Sequence, residues 1–338
     1  MHSCIFSSEM LTNDSEVKFV TNNIPNDPNE SNESNEPDEL DDFFEGTEKR
    51  MSIYTTNCLT NFPQSYWKIL IKKIGCNVIN IIENSFYVFF LLEESSFLLG
   101  KNYAMLKTCG KTRPILLLND ICKEENFDVL SFKYSHVEFL QPELQDHPYK
   151  SIDDEYNSLC EYFVNANVHT ILKQTKQPKQ AEQTNKSEWF CCQVGNNHEN
   201  FYELVCWKFE WNVNTHVELK NLLNSHFAPN ISTFETSKDN TIIFDEKCFI
   251  PYGYSLNMLF GNTYLTIHVT PQKSCSYLSV ETNCDMSAPL LFDKIIYLIS
   301  ASDYSMHTPD DYNLASGAES NYEFKHEQSK HEQLILSP

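Results

Sequence analysis

The sequence predicts an α+β fold built on antiparallel sheets, and three observations carry that expectation. Strand-like and helix-like stretches are mixed without the strict strand–helix–strand alternation of a doubly wound parallel sheet. The 338 residues hold 41% hydrophobic and 13% aromatic side chains, enough for one large core or two small ones. A polar, low-complexity segment over residues 173–186 separates two stretches of similar element content.

Taken in order, residues 1–41 are rich in Asn, Ser, Glu, Asp and Pro. They bury too little apolar surface to offset ordering and are expected to form a disordered acidic tail. Order is expected from Phe43-Phe44-Glu45-Gly46 onward, with the main domain running over 42–310. Over 63–74 the spacing of Trp67, Leu70, Ile71 and Ile74 predicts a helix with one buried face. Residues 76–109, rich in Ile, Val, Phe and Tyr, read as successive strands. A helix is expected over 114–122, a strand over 128–139 and a helix over 153–163. After the polar segment come strands near 188–194 and 201–211, a helix near 216–225, strands near 241–244, 263–269 and 276–281, and a helix near 289–300. Residues 311–338 are polar and expected to be flexible.

The formal charge is −22, of which eleven acids against one lysine in residues 1–42 supply −10. A surface of that sign repels phosphate backbones, so nucleic acid is not an expected partner. The eight glycines are too few for glycine-rich nucleotide loops or repeated tight hairpins. Gly110-Lys111-Thr112 falls short of a phosphate loop because Met105 stands where the first glycine is needed. Twelve cysteines form no C-x-x-C pair and no spacing suited to a metal site. No basic and apolar leader opens the chain, and no run approaches the roughly 18 apolar residues that span a bilayer. The expectation is a cytoplasmic protein with reduced thiols and no membrane partner.

Two places stand out chemically. In Leu91-Leu92-Glu93-Glu94-Ser95-Ser96-Phe97-Leu98 a charged step interrupts an apolar run. A strand hydroxyl near a buried edge can attack the peptide bond before it, cutting the chain and leaving a new reactive group at the cut. In 263–269, strand alternation places Tyr264, Thr266 and His268 on one face and Leu265, Ile267 and Val269 on the other. The next strand likewise groups Tyr277, Ser279 and Glu281. Such a polar face fits an ordinary solvated sheet surface as well as a site. Cys109, before Gly110, suits either an exposed strand end or a small buried hydrophobe.

Several blocks recur together, in order. They are Phe43-Phe44-Glu45-Gly46-Thr47-Glu48-Lys49, Glu94-Ser95-Ser96 with Leu106-Lys107-Thr108-Cys109-Gly110, Phe249-Ile250-Pro251-Tyr252-Gly253-Tyr254-Ser255, and Thr266-Ile267-His268-Val269-Thr270-Pro271, ending at Glu281-Thr282-Asn283. A weaker block holds Tyr134-Ser135, Phe139 and Pro142. Over about residues 42–300 the chain resembles eukaryotic S-adenosylmethionine decarboxylase, the pyruvoyl enzyme of polyamine synthesis. The resemblance implies a four-layer α/β/β/α sandwich of two antiparallel sheets with pseudo-duplicated halves, one before and one after the 173–186 loop. It implies self-cleavage at Glu94-Ser95 into a β chain (1–94) and an α chain (95–338), with a pyruvoyl group made from Ser95 that binds the substrate amine as a Schiff base. The activity implied is conversion of S-adenosylmethionine to its decarboxylated form and CO₂ for spermidine and spermine synthesis.

Residue by residue, the resemblance implies that Ser255 stabilises the oxyanion of self-cleavage and His268 removes the Ser95 α-proton. Cys109 matches the proton donor in decarboxylation. Phe44 and Phe249 match the rings that stack on adenine, while Leu92 and Glu94 line the pocket. Glu45 and Glu48 belong to a block that reaches the active-site region; Lys107 and Glu281 belong to a buried charged network. Gln272 stands where the family usually has an acid for the ribose hydroxyls, and Tyr252 where it has Cys. Putrescine activates several family members. Ser52 replaces a common acid near that network, so dependence on putrescine is expected to be weak or altered. A homodimer of αβ protomers is compatible, and no metal is expected. Three alternatives stay open: an inactive regulatory paralogue that activates a partner subunit, a pyruvoyl decarboxylase with a shifted substrate, and an acidic interaction protein acting through its tail.

Overall fold

The computed structural model describes residues 44–93, 95–122, 128–163, 167–174, 186–195, 200–231, 241–249, 253–272, 276–284 and 288–309. The expected tails over 1–41 and 311–338 lie outside these residues, as do Glu94 and Tyr252.

Two antiparallel sheets form the centre. The first contains β1 (Lys49–Thr55), β2 (Val78–Glu83), β3 (Val88–Leu92), β4 (Ser95–Leu99), β5 (Tyr103–Thr108), β6 (Val129–Val137), β7 (Asn167–Gln174) and β8 (Lys186–Val194). Their spatial order is β2-β3-β4-β5-β1-β6-β8-β7. The second contains β9 (Tyr202–Trp207), β10 (Ile243–Cys248), β11 (Tyr254–Phe260), β12 (Thr263–Thr270), β13 (Tyr277–Thr282) and β14 (Asp303–His307), in the order β10-β11-β12-β13-β9-β14.

Period-two alternation gives each sheet two different faces. On the outer face of the first sheet, Met51, Ile53, Phe90, Phe97, Leu99 and Leu106 pack with Trp67, Leu70 and Ile71 of helix α1 (Gln64–Lys73). Helices α2 (Leu118–Ile121) and α3 (Ile152–Cys160) complete that layer with Leu118, Ile121 and Leu159. On the outer face of the second sheet, Leu256, Leu265, Ile267, Leu278 and Val280 pack with Leu219 and Leu223 of α4 (Thr215–Ile231) and Leu291 and Ile295 of α5 (Ala288–Leu298). Each such side chain contributes about 1.5–3 kcal/mol by leaving water. The inner faces meet through Phe89, Leu98 and Met105 against Leu259 and Tyr264, and through Trp189 and Val137 against Val205 and Tyr277. The result is the four-layer α/β/β/α sandwich.

Two expectations are corrected. The loop over 173–186 does not divide the molecule into halves. Its residues 175–185 lie outside the described residues, but the strands on either side pair with each other, and β8 also pairs with β6. Trp189 and Phe190 of β8 are both buried, on opposite faces, Trp189 against the second sheet and Phe190 in the helix-side core. The chain changes sheets between Val194 and Tyr202 instead. The polar face of β12 and β13 is not a solvated surface either: Thr266, His268, Ser279 and Glu281 are all buried, facing the other sheet. Among the described residues no helix is long and apolar enough to cross a membrane.

Candidate active site

Between the two apolar contacts of the inner faces lies a polar layer. Strands β3 and β4 form a hairpin in which Leu92 pairs with Ser95, so its loop is only Glu93 and Glu94. Two-residue hairpin loops ordinarily recruit Gly, Asn or Asp to supply positive φ. This one carries two glutamates, and among the described residues of the hairpin Ser95 has a positive φ, 144°. A non-glycine residue held there stores strain of about 1–3 kcal/mol, next to the bond that precedes it. Ser95 is also paired with Thr108 of β5 and is buried. Its hydroxyl donates to Cys109 Sγ at 3.7 Å.

Cys109 follows the end of β5 and is buried rather than exposed. The backbone behind it is pinned from three sides. Gly110 N–H donates to the Glu45 carbonyl at 2.9 Å, and the Thr112 hydroxyl donates to the Cys109 carbonyl at 2.7 Å. Lys49 Nζ donates to the Gly110 carbonyl at 2.8 Å and to Gln145 Oε1 at 3.0 Å, with the rings of Phe139 and Tyr149 at 5.1 and 4.9 Å. Glu45 itself acts on backbone: Oε2 accepts from the N–H groups of Leu140 and Gln141 at 2.9 and 3.1 Å.

From the opposite sheet, Ser255 of β11 pairs in register with His268 of β12. Ser255 Oγ lies 2.9 Å from His268 Nδ1, and Thr266 Oγ1 lies 2.9 Å from His268 Nε2. Burial, aided by the Lys107 charge, holds the His268 imidazolium well below the usual histidine range, so the ring is neutral.

Beside it sits a charged cluster. Lys107 Nζ contacts Glu203 at 2.8 Å, Glu48 at 3.2 Å and Glu281 at 3.4 Å. Burial alone depresses a lysine, but the three carboxylates outweigh it and raise Lys107. Arg50 grips Glu281 with both forks, Nε to Oε2 at 2.8 Å and Nη2 to Oε1 at 3.0 Å, and lies over the Phe201 ring at 3.9 Å. Glu281 is pushed up by burial, but Arg50 and Lys107 bring it net below its ordinary value. Arg50 and Lys107 thus both serve Glu281, and Lys107 also reaches Glu48 and Glu203. Burial pushes Glu48 up despite Lys107 and the Ser279 hydroxyl, and its Oε1 is buried without a hydrogen-bond partner.

The remaining expected residues lie on loops at the end of the sandwich where β12 finishes and β11 begins. Phe44, Phe249 and Gln272 are half-buried. Phe249 N–H closes onto the Gly253 carbonyl at 3.0 Å, and Gly253 needs its φ of 132° and lack of Cβ to lie under that ring. Gly46 is needed for close approach: a Cβ there would stand 2.9 Å from Tyr277 Cβ, so the segment after Phe44 packs directly on β13. Leu92 is fully buried at the end of β3. Sequence reasoning missed Arg50, Glu203 and Asn257 as members of this layer. Single polar residues in otherwise apolar strands, such as Glu203 in Tyr-Glu-Leu-Val-Cys-Trp, were the available signal.

A strained, buried serine beside a thiol, in a sandwich whose other sheet carries a buried serine–histidine pair, is the core of an enzyme rather than of a docking module. Comparison with known proteins agrees. The model of the adenosylmethionine decarboxylase family matches residues 41–334. The S-adenosylmethionine decarboxylase proenzyme of Onchocerca volvulus is 30% identical over 273 residues, covering 71% of this chain and 68% of that one. That of Xenopus laevis is 25% identical over 266 residues, covering 72% and 76%. The S-adenosylmethionine decarboxylase proenzyme 3 of Arabidopsis thaliana is 27% identical over 292 residues, covering 78% and 81%. This chain belongs to the adenosylmethionine decarboxylase family.

Proposed function

We propose that this chain is a self-processing proenzyme that matures into a pyruvoyl-dependent S-adenosylmethionine decarboxylase, supplying decarboxylated S-adenosylmethionine for spermidine and spermine synthesis. The observation that carries the reading is the strained Ser95 in a two-residue hairpin, within reach of Cys109 and between sheets that also hold Ser255 and His268.

Self-processing uses only the chain's own atoms. Ser95 Oγ attacks the Glu94 carbonyl carbon, its proton passes to the amide nitrogen, and the peptide becomes an ester; the strain at Ser95 is relieved as the peptide bond breaks. Ser255 donates its hydroxyl proton to the oxyanion of the tetrahedral adduct. That rotation removes its proton from His268 Nδ1 and bares the lone pair. His268, neutral in its buried site, then takes the Ser95 α-proton while the Glu94 carboxylate leaves. The dehydroalanine hydrolyses with loss of ammonia, so the α chain starts with a pyruvoyl group. That group supplies an electron sink for loss of the substrate carboxylate. Cys109 returns a proton to the substrate carbon, held in place by the pinned backbone around Gly110. Phe44 and Phe249 hold the adenine between them, Gln272 serves the ribose hydroxyls, and the main chain at Leu92 and Glu94 lines the pocket.

Putrescine dependence is weak in this reading. Arg50 is a fixed cation in the acidic layer, bound to Glu281 and within 3.2 Å of Ser52 Oγ, and with Lys107 it supplies the positive charge that a diamine would bring.

The test is release of CO₂ from carboxyl-labelled S-adenosylmethionine by the purified protein, with and without prior treatment with cyanoborohydride and substrate. Activity that the treatment abolishes, with a matching mass addition on the 95–338 chain, is expected. The Cys109→Ser protein is expected to process normally but to turn over about 10²- to 10⁴-fold more slowly. A processed chain with no activity on this substrate sinks the proposal and favours the shifted-substrate alternative.

A further inference from the structure

His268 can act as a base only through a nitrogen that carries no proton, and the surrounding hydrogen bonds decide which one that is. Each hydroxyl has one proton to give. Asn257 of β11 lies between the sheets, fully buried. Its Oδ1 accepts from Ser96 Oγ of the opposite sheet at 2.7 Å and from Thr266 Oγ1 at 2.9 Å. Its Nδ2 points at the Phe90 carbonyl at 3.5 Å. That carbonyl fixes the amide orientation, because a flipped amide would set two oxygens against each other. Two acceptor sites on Oδ1 are therefore filled, and the Thr266 proton is committed to Asn257. A longer contact from Thr266 Oγ1 to Ser96 Oγ, 3.4 Å, closes the triangle. Thr266 presents only lone pairs to His268 Nε2, so Nε2 must be the protonated nitrogen and Nδ1 the bare one, facing the Ser255 hydroxyl.

We propose that Asn257 and Thr266, backed by Ser96, are positioning residues that lock His268 in its Nε2–H tautomer and so keep Nδ1 available as the base for processing. This rests on the reading of His268 as that base. Ser96, next to the residue that is cut, thereby couples the hairpin to the tautomer across the sheet interface. All five side chains, Ser96, Ser255, Asn257, Thr266 and His268, are buried, so water does not compete for these hydrogen bonds.

The test uses the uncut full-length Ser95→Ala protein with ¹⁵N-labelled histidine, in which long-range proton–nitrogen correlation reports the tautomer of His268. The signal is assigned by its disappearance in His268→Gln. The expected result is an unprotonated Nδ1 and a protonated Nε2. Thr266→Val and Asn257→Ala remove different links, and both are expected to move His268 toward the Nδ1–H form. In the Ser95 background both are expected to slow self-cleavage about tenfold to a hundredfold, part of the range a positioned base contributes. Thr266→Ser is expected to restore tautomer and rate within about twofold. Thermal unfolding of each variant identifies any that does not fold; the two independent links keep the test open if one fails. Retention of the Nε2–H form in both folded variants, or failure of Thr266→Ser to rescue, overturns the proposal. Unimpaired cleavage by His268→Gln instead removes the reading of His268 as the base and leaves the tautomer result standing on its own.

Discussion

Replacing Arg50 by leucine deletes the cation that grips the buried Glu281 carboxylate with two hydrogen bonds. The side chain is 3% exposed and Glu281 is fully buried, so solvent does not screen the loss. After the substitution Glu281 keeps the Tyr264 hydroxyl at 2.8 Å and Lys107 at 3.4 Å. Breaking one partner out of a buried ion pair costs about 3–5 kcal/mol, and the remaining lysine argues for the lower end, about 3 kcal/mol. For a chain of this size that is a fall in unfolding midpoint of roughly 4–5 °C. The pH dependence follows from Glu281. Its folded value lies below the ordinary 4.5, so its stabilising contribution is present above 4.5 and is lost as pH falls through the folded value. In the Arg50→Leu protein burial is less opposed, Glu281 takes up its proton at higher pH, and the difference from the parent narrows toward acid. The assay is thermal unfolding by circular dichroism in the uncut Ser95→Ala background from pH 4 to 8. Millimolar putrescine is expected to recover part of the midpoint of Arg50→Leu and to leave the parent unchanged. A loss below about 1 kcal/mol, or one that is the same at pH 4 and pH 8, refutes the charge reasoning.

The same layer and the binding loops give two further expectations. Glu48 has a raised folded value, so its stability contribution is full below the ordinary 4.5 and is lost as pH rises through the folded value. Glu48→Gln is therefore expected to raise the midpoint at pH 8 and to flatten its decline between pH 5 and 8; a steeper decline contradicts the assignment. Gln272→Glu restores an anion facing a cationic substrate, worth about 1 kcal/mol at a half-buried site, so KM should fall roughly fivefold at low salt and less at high salt. An unchanged KM at low salt removes Gln272 from the binding surface.

The legible parts of this molecule are those whose signal is local. Trp67, Leu70 and Ile71 announce α1 because helical spacing alone puts them on one face. His268 and Glu281 are legible for the same reason, since alternation along β12 and β13 separates them from the apolar residues that face α4 and α5. Strand β1 was not read from its residues, because Lys-Arg-Met-Ser looks like surface until Glu281, more than two hundred residues later, supplies the partner that allows Arg50 to be buried. Strand β11 escaped the pattern because all seven of its residues are buried, on both faces. The sheet to which β8 belongs is set by its pairing with β6, a contact that no local pattern encodes. At the site the groups proposed to react are those that the resemblance, not a local pattern, points to. Asn257, an ordinary polar residue in sequence, acquires its place only from Ser96 and Phe90 on the opposite sheet.

Intact-mass analysis of the purified full-length protein under denaturing conditions tests the central claim most directly. The account predicts two chains, residues 1–94 with an ordinary carboxyl end and residues 95–338 with a blocked, pyruvoyl start. A single uncut chain carrying an intact Ser95 contradicts it and turns attention to the regulatory-paralogue alternative.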